Sequence, residues 1–217
     1  MGLGCRCVGH AGPDVYGDFV AEQLRAEGVA LSRLGSPAAA PTLVTWVLVD
    51  PGGAHDFCSR FDFNTEPLLS GMASLPAAAL DAVSSARSLM LNGFVFDELE
   101  PAAVLQAARA ARGAGRPVVF DAGPRCVPLL GDVPAGGRGA ARELLRTADV
   151  LLLTEEEAEA ATGLAGVEEA AGELLAGSVA ADPWVVVKLG ADGSLAATRG
   201  GRGGGGGAPR ERTASAA

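Results

Sequence analysis

Short apolar runs without polar alternation constrain this chain most: Leu89-Met90-Leu91, Val118-Val119-Phe120, Val150-Leu151-Leu152-Leu153 and Val185-Val186-Val187. Each is bounded by polar or turn residues, and such a run fits a strand covered on both faces, as in a parallel sheet. Ala-rich helical patterns lie between them, over Pro76–Ser85, Pro101–Gly115, Gly139–Thr147, Glu155–Thr162 and Val167–Ala176. The Pro101–Gly115 segment has proline at its start and glycine at its end, the usual helix asymmetry. Strands alternating with helices of this length predict βαβ units, hence an α/β fold with a doubly wound, mostly parallel sheet flanked by helices.

Thr42 to Asp50 read differently. Leu43, Thr45, Val47 and Val49 alternate with Val44, Trp46 and Leu48, a Pro51-Gly52-Gly53 turn follows, and Ala54 to Phe61 return as a second strand. This predicts a small β hairpin outside the main sheet. Near the start, Gly9 to Gly17 reads as a loop leading to a helix over Asp18–Glu27, closed by Gly28. Residues 1–199 form one domain, whereas the Gly-rich stretch 200–217 has no apolar pattern and is expected to be disordered. The last strand-like segment, Ser194–Thr198, runs straight into that stretch, so the domain is expected to be incomplete.

With 217 residues and 48% apolar composition, the chain can bury a sizeable core. Its formal charge of −9 disfavours non-specific nucleic-acid binding, and its apolar runs are too short to span a bilayer. Cys5, Cys7, Cys58 and Cys126 form neither a disulfide framework nor a C-x-x-C pair. A metal at Cys5, Cys7 and His10 is the minor reading, and reduced thiols in an intracellular protein the main one. The N-terminus carries no signal-peptide core and no transit-type composition.

Three segments carry candidate chemistry, each with a plain structural alternative. Thr154-Glu155-Glu156-Glu157 follows a buried strand and opens a helix. Thr154 and Glu157 suit a capping box, and carboxylates at a strand's carboxyl end also suit a Mg²⁺–phosphate site. Asp121 ends the Val118-Val119-Phe120 strand, and with Arg125 it suits a polar or phosphorylated substrate; a local ion pair in a solvated loop explains the same residues. Lys188-Leu189-Gly190-Ala191-Asp192-Gly193 offers backbone amides to a ligand, or an ordinary Asp-Gly hairpin turn. It is not a Walker A loop.

In order along the chain, these segments resemble the pfkB (ribokinase-like) carbohydrate kinases. The residues that carry the resemblance are Gly9-x-x-Gly12-x-Asp14-x-x-Gly17 with Glu27-Gly28-Val29, then Asn92-Gly93-Phe94 and Phe120-Asp121-Ala122-Gly123-Pro124-Arg125. Thr154-Glu155-Glu156-Glu157-Ala158 and Leu189-Gly190-Ala191-Asp192-Gly193 complete it, so that it extends from Val8 to Thr198. Trp46 to Pro51 with Phe57 to Arg60 look most like a plant and algal branch.

The resemblance implies transfer of the ATP γ-phosphoryl group to a sugar hydroxyl with Mg²⁺. It places Glu157 at Mg²⁺, with Lys188, Gly190, Gly193 and Thr154 at the nucleotide. Asn92, Gly93, Asp121 and Arg125 fall on the substrate side. Thr154 stands where the family has asparagine, Gly123 where the D-x-N-x-R segment has asparagine, and Lys188 where many members have threonine. The hairpin corresponds to the family's substrate lid, which often pairs two subunits and so implies a homodimer. Cytoplasm or plastid is the implied location. Nothing before Val8 matches the family's first strand and Gly-Gly motif. No Gly-Ala-Gly-Asp segment, which holds the family's base and anion hole, follows Gly193, so no catalytic base is assigned and little turnover is expected from these residues. The alternative implied is a non-catalytic relative that binds nucleotide, sugar or a protein partner.

Overall fold

The computed structural model describes residues 4–35, 40–59, 66–130, 137–199 and 212–213. At its centre the parallel strands β5 (Leu89–Asn92), β6 (Val118–Asp121), β7 (Val150–Thr154) and β8 (Trp184–Lys188) lie side by side in sequence order. β9 (Ser194–Thr198) pairs antiparallel with β8, and the short β10 (Arg212–Thr213) pairs antiparallel with β9. The fold is thus the α/β class expected, with a mostly parallel sheet flanked by helices. Of the segment expected to be disordered, Arg212–Thr213 is a strand, and the remainder lies outside the described residues.

Helices α4 (Pro101–Gly113), α6 (Gly137–Thr147) and α8 (Val167–Gly177) are the crossovers between successive parallel strands. Because the strand order advances in one direction, right-handed crossovers carry all three to the same face of the sheet, and α4 packs on α6 and α6 on α8. That face is dry: Val118, Phe120, Leu151, Leu153, Val185, Val187, Leu195 and Ala197 are all buried. Residues of the opposite parity are less covered, with Leu152, Val186 and Ala196 half-buried and Met90 exposed. Continuous apolar runs predict burial on both faces; among the described residues one face is covered fully and the other in part. No described helix is long and apolar enough to cross a membrane.

Several short elements escape sequence periodicity, β2 (Ala30–Arg33) and α3 (Val95–Glu98) among them. β1 (Arg6–Gly9) pairs in parallel with β2, where the sequence suggested only a loop before the first helix. Four residues, two of them polar or small, carry too little pattern to declare a strand. α5 (Gly123–Leu130) contains Pro124 and Pro128, and an internal proline argues against a helix on sequence alone. The hairpin β3 (Thr45–Val49) and β4 (His55–Ser59) forms as expected, in a sheet of its own.

The early glycine-and-aspartate motif is a packing clasp. Asp14 caps α1 (Val15–Ala26), which starts three residues earlier than its apolar pattern suggests. Its Oδ1 accepts from the Gly17 amide (2.9 Å) and the Thr42 hydroxyl (2.7 Å), and its Oδ2 accepts from the Thr42 amide (2.7 Å). The Thr42 hydroxyl oxygen in turn accepts from the Gly12 amide at 2.9 Å. No side chain fits at either glycine: a Cβ on Gly12 would lie 2.5 Å from the Thr42 nitrogen, and one on Gly17 2.1 Å from the Gly12 oxygen. The clasp therefore fixes the segment ahead of β3, which leads into the β3–β4 hairpin, to the N-terminus of α1.

Hydrogen bonds from Thr42 and Gly17 hold the Asp14 carboxyl at about 2, below its ordinary 3.8. A lowered folded-state value means the clasp contributes fully above the unfolded value of about 4 and is lost as pH falls toward 2. The stability difference between the protein and its Asp14→Asn variant in urea titrations is expected to be largest near neutrality and to shrink through that acid window. A difference independent of pH would contradict the clasp. In the core, Leu144 on α6 is fully buried, and Leu144→Ala is expected to cost about 2–5 kcal/mol by the same measurement.

Candidate active site at the carboxyl ends of the parallel strands

The parallel register brings the sequence-predicted residues to one edge. Asn92 is opposite Asp121, Asp121 opposite Leu152, Leu152 opposite Val186, and Thr154 opposite Lys188. Opposed residues in a parallel pair share a face, and so do residues two apart along a strand. Asn92, Asp121, Thr154 and Lys188 therefore all fall on the face away from α4, α6 and α8, at the strand ends where open α/β sheets bind ligands.

On the β5 side, the Asn92 carbonyl oxygen of the side chain accepts from the Phe94 amide (3.1 Å), and the Gly93 amide donates to the Asp121 backbone oxygen (2.9 Å). The turn after β5 is thereby tied to the end of β6. Arg125, on α5, points elsewhere: its Nε donates to Asp97 Oδ2 at 2.9 Å, in a pair that is largely buried. Asp97 sits on α3 (Val95–Glu98) and sequence reasoning missed it, since a carboxylate in a short helix carries no motif. Its neighbour Glu98 accepts from the His10 amide, yet burial pushes its carboxyl above the ordinary range. Burial and the adjacent Glu98 likewise raise the Cys7 thiol.

On the β7 side, Thr154 and Glu157 form both halves of a capping box at the start of α7 (Glu155–Thr162). The Glu157 amide donates to Thr154 Oγ1 at 3.3 Å, and the Thr154 amide donates to Glu157 Oε2 at 2.9 Å. Glu157 is only 4% exposed, so its carboxylate is fixed in orientation. Glu155, Glu156 and Glu157 all lie in the first turn, where the helix dipole favours negative charge.

The β8 side closes the row. Lys188 reaches back across β7, and its Nζ lies 3.0 Å from Asp121 Oδ1 with both side chains partly exposed. The following turn, Gly190–Asp192, joins β8 to the antiparallel β9, so its backbone is that of a hairpin turn. Gly190 and Gly193 take φ of +59° and +92°, values that disfavour any side chain. Of the residues predicted for the site, the structure places Asn92, Gly93, Asp121, Thr154, Glu157, Lys188, Gly190 and Gly193 on this edge, and turns Arg125 toward α3. The shallow depression lined by Asp182, Pro183, Trp184, Thr198 and Arg199 is at the far end of β8.

Among the described residues, no group of three or more His, Cys, Asp or Glu is arranged to hold a metal alone. Mg²⁺ held largely by phosphates and water needs only one or two carboxylates, and the oriented Glu157 carboxylate at the mouth of the strand row fits that requirement. Because the Thr154 hydroxyl caps α7, Thr154→Ala is expected to cost about 0.5–2 kcal/mol in denaturant titrations, whereas Thr154→Asn retains a capping oxygen and most of the stability. Equal losses for both would contradict the capping role.

The pfkB family carbohydrate kinase model matches residues 1–214. No curated protein sequence matches the chain. Among solved structures, the PfkB protein from Polaromonas sp. JS666 is similar at 28% identity and a TM-score of 0.68, over 95% of this chain and 67% of that one. A protein assigned as ribokinase II from E. coli, in complex with ATP and Mg²⁺, is similar at 21% identity and a TM-score of 0.70, over 98% of this chain and 65% of that one. The adenosine kinase of Trypanosoma brucei brucei aligns at 19% identity with a TM-score of 0.71, over 89% of this chain and 58% of that one. The chain spans 66% of the E. coli protein's unliganded form and 57% of a carbohydrate kinase from Agrobacterium tumefaciens. The match over residues 1–214, on a fold shared with these kinases, establishes that the chain belongs to the pfkB family of carbohydrate kinases.

Proposed function

We propose that this chain supplies the nucleotide and acceptor edge of an ATP-dependent kinase that phosphorylates a sugar or nucleoside hydroxyl. The observation that carries the reading is the convergence of Asn92, Asp121, Thr154 and Lys188 on one face of four parallel strand ends. Beside them are the capped N-terminus of α7 and the glycine turn after β8. Phosphoryl transfer asks a protein chiefly for positioning and for charge placed where charge develops.

In this reading the Gly190–Gly193 turn and Lys188 receive the nucleotide phosphates, and Glu157 with Thr154 holds the bound cation. When bound, Mg²⁺ neutralises phosphate charge. Asp121 and the Asn92-Gly93 turn orient the acceptor hydroxyl, while Arg125 acts through Asp97 to hold α5 beside it. The β3–β4 hairpin is read as a lid. Trp46, Val47, Leu48, Val49 and Phe57 are all exposed on it, and an isolated two-stranded hairpin is marginal in water, which supports a second copy of the chain as its partner. An intracellular setting, cytoplasmic or plastid, accords with these substrates.

A second reading, nucleotide binding without transfer, is favoured by one sequence fact: Thr154 stands in place of the family's asparagine. Calorimetric titration with MgATP and MgADP, run beside a coupled ADP-release assay over a sugar and nucleoside panel, tests both. Saturable nucleotide binding with Kd below about 1 mM, lost in Glu157→Gln for the Mg²⁺ form, is expected. Binding with acceptor-dependent ADP release supports the kinase reading, binding without release the second, and no binding overturns both.

A further inference from the structure

Lys188 is the only lysine among the 17 Lys and Arg residues of the chain. It lies at the end of the third parallel strand in from β5's edge and crosses β7 to pair with Asp121 on β6, Nζ to Oδ1 3.0 Å. Arginine serves the ion pairs that hold elements together, as in Arg125 with Asp97, Arg109 with Glu143 and Arg112 with Asp149. Those pairs use a planar guanidinium that docks in a fixed geometry. An ammonium is a compact charge on a flexible stem, able to exchange one oxygen partner for another. Glu155, Glu156 and Glu157 open α7 directly after Thr154, which is opposite Lys188, and Asp192 lies in the turn after β8. Lys188 is the one cation among these acidic residues.

We infer that Lys188 is a positioning residue that exchanges partners, paired with Asp121 when no nucleotide is present and with nucleotide phosphate when it is. The inference rests on the kinase reading above and adds a coupling to it. Phosphate draws Nζ away from Asp121, which leaves the carboxylate to the acceptor hydroxyl, so that nucleotide binding prepares the acceptor side. Both side chains are partly exposed, 43% for Lys188 and 27% for Asp121, so their pairing opposes nucleotide binding only modestly. By linkage, the acceptor and the nucleotide each favour the other.

The test is MgADP affinity by calorimetry in the full 217-residue chain, with Asp121→Asn, Lys188→Met, Lys188→Arg and the double variant Asp121→Asn/Lys188→Met. Removing the competing carboxylate in Asp121→Asn is expected to tighten MgADP by about two- to five-fold, the scale of an exposed ion pair. Lys188→Met is expected to weaken it about ten-fold, and Asp121→Asn to have no further effect in that background. Lys188→Arg keeps the charge but docks on Asp121 in a fixed fork, so it is expected to recover little of the MgADP affinity while keeping the parent's thermal stability, whereas a merely structural or purely charge-based role would leave affinity near that of the parent. Lysine labelled with ¹³C gives a single side-chain ε signal, expected to shift on adding MgADP and to sit near its bound position in Asp121→Asn. Thermal melts confirm that the variants fold. If the parent chain binds no MgADP, the nucleotide reading fails and this inference with it. If the parent binds but Asp121→Asn leaves affinity and the lysine signal unchanged, only the exchange is overturned.

Discussion

The in-register parallel pairing of β5 through β8 determines where every polar residue of the candidate site lies. Opposed residues share a face, so a single register places Asn92 against Asp121 and Thr154 against Lys188 on the same side of the sheet. A slip of one residue in any strand would send its terminal polar side chain to the opposite face, into the layer where Phe120, Leu153 and Val187 are buried. The dry face thus defends the register, and the register defends the site. Crossovers of one hand on α4, α6 and α8 make that division of labour possible, since they cover one face and leave the ends of the other open.

Supporting elements tie the remaining parts to this frame. Gly93 links the turn after β5 to the backbone of Asp121, and Arg125 with Asp97 fixes α5 against α3. The capping box of Thr154 and Glu157 sets the direction of α7 as it leaves the sheet. Further off, Asp14 and Thr42 hold the approach to the exposed hairpin, where Gly12 and Gly17 allow a contact that no side chain would permit. The residues of the family's early motif therefore work as structure at the base of the hairpin, while those at the strand ends form the candidate site.

The fold class and the candidate site were legible to different degrees. Val118–Phe120, Val150–Leu153 and Val185–Val187 announce their strands because central parallel strands need no polar face. Glu155–Thr162 announces its helix because Thr154 and Glu157 sit at capping-box spacing. β1 was not legible, since Arg6 to Gly9 is short and mixed, nor was α5, whose Pro128 speaks against the helix it occupies. At the site, Asp121, Thr154, Glu157 and Lys188 are readable as residues that follow strands. The pairing of Lys188 with Asp121 is not, because 67 positions separate them in sequence and only the sheet brings them together. Arg125 shows the converse: its place after a strand suggested a ligand, and Asp97, reached through tertiary packing, is its partner.

The central claim is that nucleotide binds along this one edge. Amide hydrogen–deuterium exchange of the chain with and without MgADP tests it most directly, since exchange reports local protection residue by residue. The account predicts slowed exchange over residues 121–125, 154–158 and 188–194 together, with little change at the far end of β8 around Asp182 to Trp184. Protection confined to that far end, or to the hairpin without the strand ends, would contradict it.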